Sequence, residues 1–328
     1  MAIKIGILGY GNLGKGVELA LQRCDDMDLV GIFTRRDPSS ITPMTEGVAV
    51  YSVDQMEEFE SEIDVMICCG GSAKDLPEQT PLAAQWFNVV DSFDTHAKIE
   101  EHFQRVKEVA DKSKKVAIIS VGWDPGLFSL MRLYGTSILP ESKYYTFWGK
   151  GVSQGHSDAI RRVPGVKNAK QYTIPQDAII TAVRKHEYPN VSAREMHLRE
   201  CYVVPEDGAD TQAIEQAIRT MPDYFEGYET IVHFVTEEEL QQNHSGMEHG
   251  GFVLCAATTG VNNEHNQMIE YKLELESNPE FTGAALVAFA RAASNMYENY
   301  EDGCFTPFDV RPRDLSPHDG EELRAHLL

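Results

Sequence analysis

The chain contains 328 residues, of which 42% are hydrophobic and 24% are charged, and it carries a formal net charge of −22. This length favours two domains over one, and the composition is that of an ordinary globular protein. The strong acidity argues against nucleic acid and against an anionic membrane surface as partners.

Targeting and redox features restrict the function further. No apolar run is long enough to cross a bilayer. We expect no secretory signal, because the first apolar run is the strand described next. Its six cysteines show neither a CxxC spacing nor a paired-histidine pattern typical of a metal site. We therefore expect a cytoplasmic protein without a metal, whose cysteines are reduced and mostly buried.

The amino-terminal stretch predicts a strand, a tight turn and a helix. The apolar residues 3–8 lead into the glycine fingerprint Gly9-Tyr10-Gly11-Asn12-Leu13-Gly14, and apolar residues within 15–23 then share one helical face. Gly9 would permit the turn, Gly11 would let a pyrophosphate approach the backbone, and Gly14 would let the helix pack on the strand. The helix N-terminus would present N–H groups to the phosphates. A glycine-rich turn in another α/β protein is the alternative, but the flanking strand and helix favour dinucleotide binding.

The second predicted strand, residues 28–33, ends at the position that selects the cofactor. An NAD-specific protein usually carries an acidic side chain there for the ribose 2′-hydroxyl, whereas this chain has Thr34, Arg35 and Arg36. Two guanidinium groups and a hydroxyl suit a 2′-phosphate. An exposed basic pair without function is the alternative, but the spacing from the fingerprint favours a cofactor role, so we expect NADP.

Later apolar runs continue the alternation of strands and helices. Strands are predicted at 63–69, at 88–94 with its exit loop and at 116–119, and an amphipathic helix at 98–112. This pattern is typical of a parallel, doubly wound α/β sheet of the Rossmann type. Because the carboxyl ends of such strands face the ligand, we expect the cofactor to contact the glycine fingerprint, Thr34 to Arg36 and, at the later strand ends, Cys69, Gly70, Gly71, Ser72, Ser92, Phe93, Asp94, Trp123, Asp124, Pro125, Gly126 and Leu127.

After residue 140 the pattern changes to that of an α+β domain. A glycine- and serine-rich loop is predicted at 149–158 and a short helix after Thr236, with strands at 144–148, 194–204, 228–235, 251–258 and 267–276. We therefore predict a substrate-binding domain with a mostly antiparallel sheet over residues 122–280. An alanine-rich helix at 284–296 is expected to return to the dinucleotide-binding domain, which would comprise 1–121 and 281–328.

Two carboxylates, Asp94 and Asp124, follow the fourth and fifth predicted strands. Both are therefore expected near the nicotinamide end of the cofactor, where they could bind an ammonium group and accept its proton. A helix cap or a turn residue is the alternative for each. Residues 123–126 could also form a simple turn with a packed tryptophan.

Several blocks, spread in order over nearly the whole chain, resemble the meso-diaminopimelate dehydrogenase family. They are the glycine fingerprint, Thr34-Arg35-Arg36, Gly122-Trp123-Asp124-Pro125-Gly126, Phe147-Trp148-Gly149, Ser153-Gln154-Gly155-His156-Ser157-Asp158-Ala159 and His249-Gly250-Gly251. The resemblance implies reversible, NADP-dependent oxidative deamination of meso-2,6-diaminopimelate at its D-centre to L-2-amino-6-oxopimelate, with release of ammonia and NADPH. It also implies a place in lysine and cell-wall precursor biosynthesis and a homodimer built through the second domain.

The resemblance further implies roles for individual residues. Asp94 and Asp124 would hold the reacting D-amino group, and the substrate would also be lined by Trp123, Trp148, Gln154 and Gly155. The unreactive L-end would be held by Thr173, Arg199, His249 and Asn278. The chemistry agrees, because an arginine with a hydroxyl and a histidine suits a carboxylate. Taken singly, Arg199 could be an exposed salt-bridge partner and His249 a loop residue.

Two other functions stay open from the sequence. One is another NADP-dependent amino-acid dehydrogenase or imine reductase, which would share the nucleotide-binding half and differ at Thr173, Arg199 and His249. The other is a non-catalytic NADP-binding sensor, since a cofactor fold alone does not establish catalysis. The paired carboxylates and the polar cluster of the second domain argue against the sensor.

Overall fold

The computed structural model describes residues 2–328 and divides into two units. The first unit comprises the chain up to Leu130 together with Pro279–Leu328, and the second comprises Met131–Asn278. The sequence analysis drew the two boundaries at residues 121 and 281. Within the described residues, no helix combines the length and the apolar character needed to cross a bilayer.

The described chain contains fourteen strands and eleven α-helices, numbered here in chain order. The strands are β1 (Ile3–Leu8), β2 (Met27–Thr34), β3 (Ala49–Ser52), β4 (Val65–Cys68), β5 (Asn88–Asp91), β6 (Val116–Ile118), β7 (Lys143–Trp148), β8 (Gly151–Val152), β9 (Val166–Pro175), β10 (His197–Pro205), β11 (Glu229–Phe234), β12 (His249–Thr259), β13 (His265–Leu275) and β14 (Gly303–Phe305). The helices are α1 (Asn12–Leu21), α2 (Leu76–Ala83), α3 (Ile99–Ser113), α4 (Leu127–Ile138), α5 (Gln154–Arg161), α6 (Asp177–Arg184), α7 (Ala193–Met196), α8 (Thr211–Arg219), α9 (Glu237–Asn243), α10 (Asn278–Glu298) and α11 (Gly320–Leu327).

The first unit is built on a seven-stranded parallel sheet in the order β14-β6-β5-β4-β1-β2-β3. Successive residues of β1 point to opposite faces and enter separate cores. One core contains Ile5 and Ile7 with residues of α1 and α10, and the other contains Leu8 with residues of α2 and α3. Helices therefore cover both faces of the sheet, and the predicted Rossmann-type fold is confirmed.

The carboxy-terminal segment belongs to this unit. Helix α10 crosses α1 so closely that a Cβ on Gly16 would collide with the carbonyl oxygen of Pro279, and a Cβ on Gly283 would collide with the backbone of Gly16. Strand β14 then extends the sheet beside β6. The sequence did not predict β3 and β14, because strands of three or four residues carry too little periodicity to be recognised.

The second unit contains two smaller sheets, β11-β10-β9-β8 and β13-β12-β7. All pairings within them are antiparallel except that of β10 with β11, which agrees with the predicted α+β pattern. Two local predictions were wrong, and one strand was not predicted. Residues 149–158 contain β8 and the start of α5 instead of a loop; β9 was not predicted; and residues 193–196 form α7, so the strand predicted from 194 begins at His197. A capping box at Ser192 starts α7 and overrides the strand pattern there.

Candidate functional site

The glycine fingerprint forms a tight turn between β1 and α1. Gly9 has φ = +96°, a region that L-residues rarely adopt, and a Cβ on Gly14 would collide with the carbonyl oxygen of Gly9. A Cβ on Gly11 would meet no atom within 4 Å, so the space above this residue is open. Gly11 is also the N-cap of α1, and no side chain caps the first turn. This arrangement suits a phosphate group at the helix N-terminus.

Arg36 is held against this turn. Its Nη2 donates to the carbonyl oxygen of Tyr10, and its backbone N–H donates to Thr34 Oγ1 at 3.1 Å. Tyr10 is itself fixed, because its hydroxyl donates to Glu18, a fully buried carboxylate of α1 that also accepts from the backbone N–H of Thr45 at 2.6 Å. Burial raises the pKa of Tyr10, so its hydroxyl stays a donor. The guanidinium group therefore lies beside the glycine turn on a rigid support.

Arg35 points to a different partner. Its Nη2 lies 2.5 Å from Oδ1 of Asp75, while Oδ2 of Asp75 accepts from the backbone N–H of Gly71 at 2.9 Å. Asp75 thus links the loop after β2 to the loop after β4. In the loop after β4, Cys69 is buried, and a Cβ added to Gly70 would collide with the side chain of Gln79. The sequence analysis did not identify this acidic partner.

Asp94 and Asp124 follow β5 and β6, which are neighbours in the sheet. The carboxyl ends of parallel strands meet at one edge of a sheet, so both loops emerge at the edge that also carries the glycine turn. Asp94 is exposed, and its backbone N–H donates to Ser72 Oγ at 2.9 Å. Asp124 is half-buried and follows Trp123, whose ring packs edge-on against Phe128 at 5.3 Å.

The other strand-end residues proposed to line the cofactor lie in the same loops. Phe93 is buried and Ser92 is half-buried after β5. Gly126 has φ = +123° and pairs with Trp123 in a β-bridge. Pro125 lies within this turn, and Leu127 is the first residue of α4. The residues predicted to contact the cofactor thus all lie in the first unit, in the glycine turn, at the end of β2 and in the segments that follow β2, β4, β5 and β6.

In the second unit, Arg199 and Thr173 lie directly opposite each other on β10 and β9. Arg199 is 6% exposed, and its Nη1 donates to Thr173 Oγ1. Its guanidinium carbon lies 4.2 Å from the ring centroid of Tyr228, and its Nε is buried without a hydrogen-bond partner among residues 2–328. Burial lowers the pKa of Arg199. A buried cation with an unused donor is suited to an anionic ligand.

His249 approaches the same strands. It begins β12, and a Cβ on Gly151 would lie 2.6 Å from its Cγ, so its ring rests on the backbone of β8. Gly151 pairs in turn with Thr173. Burial lowers the pKa of His249, and the charge of Arg199 acts in the same direction. A neutral histidine therefore accompanies the buried arginine.

The remaining predicted substrate residues lie on other elements of the second unit. Trp148 ends β7 and stacks on His197 with ring centroids 5.0 Å apart. Met247 connects two of the others, because Gln154 Nε2 contacts its Sδ at 3.7 Å and the backbone N–H of Asn278 donates to its carbonyl oxygen at 3.3 Å. Gly155 is exposed in the first turn of α5. Asp158 pairs with Arg161 on an exposed face of α5, an ordinary helix-surface ion pair.

Four functional candidates were not found from the sequence: Glu18, Asp75, Asp91 and Tyr228. Each contacts at least one partner that is distant along the chain, as Asp91 does with the backbone N–H of Ser120, so no local pattern marks it. A weak signal existed for Asp91, because an acidic residue within an apolar strand needs buried donors. The sequence around Tyr228 contains no comparable signal.

Comparisons with known proteins agree with this arrangement. A family model described as the diaminopimelic acid dehydrogenase C-terminal domain matches residues 122–277. The chain is 59% identical over 326 residues to a protein of Acetivibrio thermocellus named meso-diaminopimelate D-dehydrogenase, covering 99% of this chain and 98% of that protein. The C. glutamicum DAP dehydrogenase in complex with DAP has a TM-score of 0.93 at 43% identity and 99% coverage of both chains. An engineered D-amino acid dehydrogenase bound to NADP+ has a TM-score of 0.90 at 41% identity and 100% coverage of both chains.

Proposed function

The chain belongs to the meso-diaminopimelate dehydrogenase family, and we propose that it catalyses the NADP-dependent oxidative deamination of meso-2,6-diaminopimelate at the D-centre. The products would be L-2-amino-6-oxopimelate, ammonia and NADPH. Run in reverse, the same site would aminate the oxo acid and supply a precursor of lysine and of the cell wall. The solved complex of the C. glutamicum relative with DAP supports this substrate.

The environment of Arg199 is the observation that carries the proposal. A buried guanidinium group with an unpartnered Nε, a hydroxyl beside it and an aromatic ring against its face is a site for a carboxylate. No acidic side chain of the described chain pairs with it, so the carboxylate would come from the substrate. We assign it to the L-centre of diaminopimelate, held by Thr173, Arg199 and His249, with Asn278 contributing from the start of α10.

The D-centre would be held by Asp94 and Asp124. An ammonium group has three N–H donors and a positive charge, which two carboxylates match. Hydride can leave the adjacent carbon only after the nitrogen has lost a proton, and a carboxylate within hydrogen-bond reach can take that proton. The carbon would then take up water and release ammonia. Trp123, Trp148, Gln154 and Gly155 would line the substrate between its two ends.

The first unit fits NADP. The open space above Gly11 and the uncapped first turn of α1 suit the pyrophosphate, and Thr34, Arg35 and Arg36 suit a 2′-phosphate. The NADP+-bound neighbour, which is 41% identical to this chain, supports the same cofactor. Bound NADP would supply the acceptor for the hydride.

We also propose that the enzyme acts as a homodimer in the cytoplasm. The second unit exposes the large apolar side chains of Leu133, Tyr134, Ile138, Tyr144 and Ile269. Tyr144 and Ile269 pair with Cys255 of β12 from its two sides, and neighbouring exposed apolar side chains commonly mark interfaces. All six cysteines of the chain are free thiols, which fits a reducing compartment. Light scattering coupled to size-exclusion chromatography tests the dimer, and a monomeric mass at micromolar concentration would contradict it.

One assay tests the proposed reaction. Purified protein is mixed with NADP and meso-diaminopimelate, and NADPH formation is followed by absorbance. We expect turnover with the meso isomer and NADP, much weaker turnover with NAD, and none with the L,L isomer, which lacks a D-centre. Reduction of NADP by simple D-amino acids with equal efficiency would favour a broader amino-acid dehydrogenase. Binding of NADP without turnover of any amino acid would favour the sensor.

A further inference from the structure

Asp91, the last residue of β5, carries a fully buried carboxylate outside the proposed site. A buried carboxylate is costly unless hydrogen bonds replace its hydration. Four donors surround this one, and they come from four different segments of the first unit. They are Thr80 of α2, His102 of α3 and the backbone N–H groups of Phe93 and Ser120.

One carboxylate oxygen holds the starts of two loops. Oδ1 accepts from the N–H of Phe93 at 3.0 Å and from the N–H of Ser120 at 2.9 Å. Phe93 directly precedes Asp94, and Ser120 stands four residues before Asp124. Ser120 has φ = +59°, an unfavourable conformation for an L-residue that surrounding contacts must stabilise. One oxygen atom of Asp91 therefore holds the backbone of both loops where they leave the sheet.

The other oxygen fixes the orientation of the carboxylate. Oδ2 accepts from Thr80 Oγ1 at 2.7 Å and from His102 Nε2 at 2.6 Å. The His102 ring also stacks on Phe93, with centroids 4.1 Å apart and an interplanar angle of 15°. Helices α2 and α3 thus prevent the carboxylate from rotating, and the hydrogen bonds to both loops keep their geometry.

We propose that Asp91, with Thr80 and His102, is a positioning residue that sets the spacing of the Asp94 and Asp124 carboxylates for proton removal. The inference rests on the proposed function, because the spacing matters only if these two carboxylates hold the reacting amine. Asp91 does not touch either of them and would act through the backbone of their loops. Displacement of a reacting group by about 1 Å can lower a rate by about 100-fold, so the network is expected to control turnover more than cofactor binding.

Substitutions that preserve shape test this role. Asp91→Asn keeps the volume and one acceptor oxygen but presents an amide donor to the hydroxyl of Thr80 and the ring of His102. We expect kcat to fall by about 10- to 100-fold, while the Kd for NADPH, measured by fluorescence titration, is unchanged. Thr80→Val removes one donor at constant shape and should lower kcat in the same direction, and the matched variant Thr80→Ser should restore it. This pair decides the question if Asp91→Asn does not fold.

A double-mutant cycle separates positioning from stability. If Asp91 acts through Asp124, the further loss of kcat caused by Asp91→Asn should be much smaller in an Asp124→Asn background than in the wild type. Additive losses would overturn the proposal. So would an unchanged kcat with a lowered melting temperature, or a parallel loss of turnover and NADPH affinity. Inactive wild-type enzyme would instead overturn the proposed function and this inference with it, so the two failures are distinguishable.

Discussion

The guanidinium carbon of Arg199 lies 4.2 Å from the centroid of the Tyr228 ring, while the same side chain donates to Thr173. Burial lowers the pKa of Arg199, and Tyr228 opposes this shift through electrostatic attraction and a side-chain hydrogen bond, while its aromatic face also attracts the cation. The ring therefore helps Arg199 to remain buried and charged, and Nε stays available to a ligand. A guanidinium group balanced in this way is suited to a substrate carboxylate more than to a permanent structural ion pair.

Removal of Arg199 should affect one end of the substrate only. In Arg199→Ala the distal carboxylate loses a desolvated partner, which typically costs ~2–5 kcal/mol, so kcat/KM for meso-diaminopimelate should fall sharply while NADP affinity holds. A substrate without that carboxylate should already be poor in the native enzyme, because it would leave Arg199 unpaired. The ratio of kcat/KM for meso-diaminopimelate to that for D-lysine should therefore shrink.

The exposed Arg184, which pairs with Glu270 in the same unit, provides the control. Arg184→Ala should leave the substrate ratio unchanged, and Tyr228→Leu should move it in the same direction as Arg199→Ala. An unchanged ratio in Arg199→Ala would show that Arg199 does not bind the distal carboxylate.

Cofactor choice should depend on the arginine pair after β2. Replacement of both Arg35 and Arg36 by serine removes charge-assisted contacts to the 2′-phosphate that are typically worth ~1.5–3 kcal/mol each. Steady-state kinetics should show kcat/KM for NADP falling while that for NAD changes little. Arg23→Ser, at an exposed position after α1, is the control. Equal losses with both cofactors would mean that the pair supports the glycine turn and does not select the phosphate.

The rate of oxidation should rise from neutral to alkaline pH, because the reacting amine must lose a proton, and reductive amination should peak at a lower pH. Asp124→Asn should keep cofactor affinity and lose most turnover. Asp111→Asn, in an exposed ion pair with Lys107 of the same unit, should change neither. Loss of NADP binding together with turnover would make Asp124 a structural residue, and an oxidation rate that fell steadily above neutral pH would remove the proton-accepting role.

His197 should make the second unit sensitive to acid. This fully buried side chain accepts from the backbone N–H of Trp148 at Nε2 and donates from Nδ1 to the carbonyl oxygen of Ala193, so it must be neutral. Burial lowers its pKa from 6.5 to about 4. Between these pH values the unfolded chain therefore binds a proton at His197 that the folded chain does not bind. The contribution of neutral His197 to the free energy of unfolding is complete above pH 6.5 and is lost as the pH falls towards 4.

Urea unfolding between neutral pH and pH 4.5 measures this effect. Each proton that binds only to the unfolded chain lowers the free energy of unfolding by about 1.4 kcal/mol per pH unit. His197→Gln should therefore reduce the slope of the free energy of unfolding against pH by a corresponding amount. The exposed His265, replaced by glutamine, is the control. Equal slopes in the His197→Gln variant and the wild type would contradict the prediction.

Most features of the first unit could be predicted from the sequence, because they depend on local chemistry. The turn at Gly9 needs a positive φ, and position 14 lies too close to the carbonyl oxygen of Gly9 to accept a Cβ atom. Only glycine meets both requirements without strain, so the sequence itself marks the turn. Long buried strands and amphipathic helices such as α3 likewise carry their own periodicity. The positions of Asp94 and Asp124 then follow from the rule that parallel strands present their carboxyl ends at one edge.

Contacts between distant segments were decided only by the tertiary structure. Thr173 and Arg199 meet because β9 and β10 pair in one register, and a shift by one residue would turn both side chains to the other face. Tyr228, in the loop before β11, contacts Arg199. The carboxylate of Asp91 accepts hydrogen bonds from two helices and two loops. Register and side-chain packing depend on the free energy of the whole fold, and so no local pattern of residues records them.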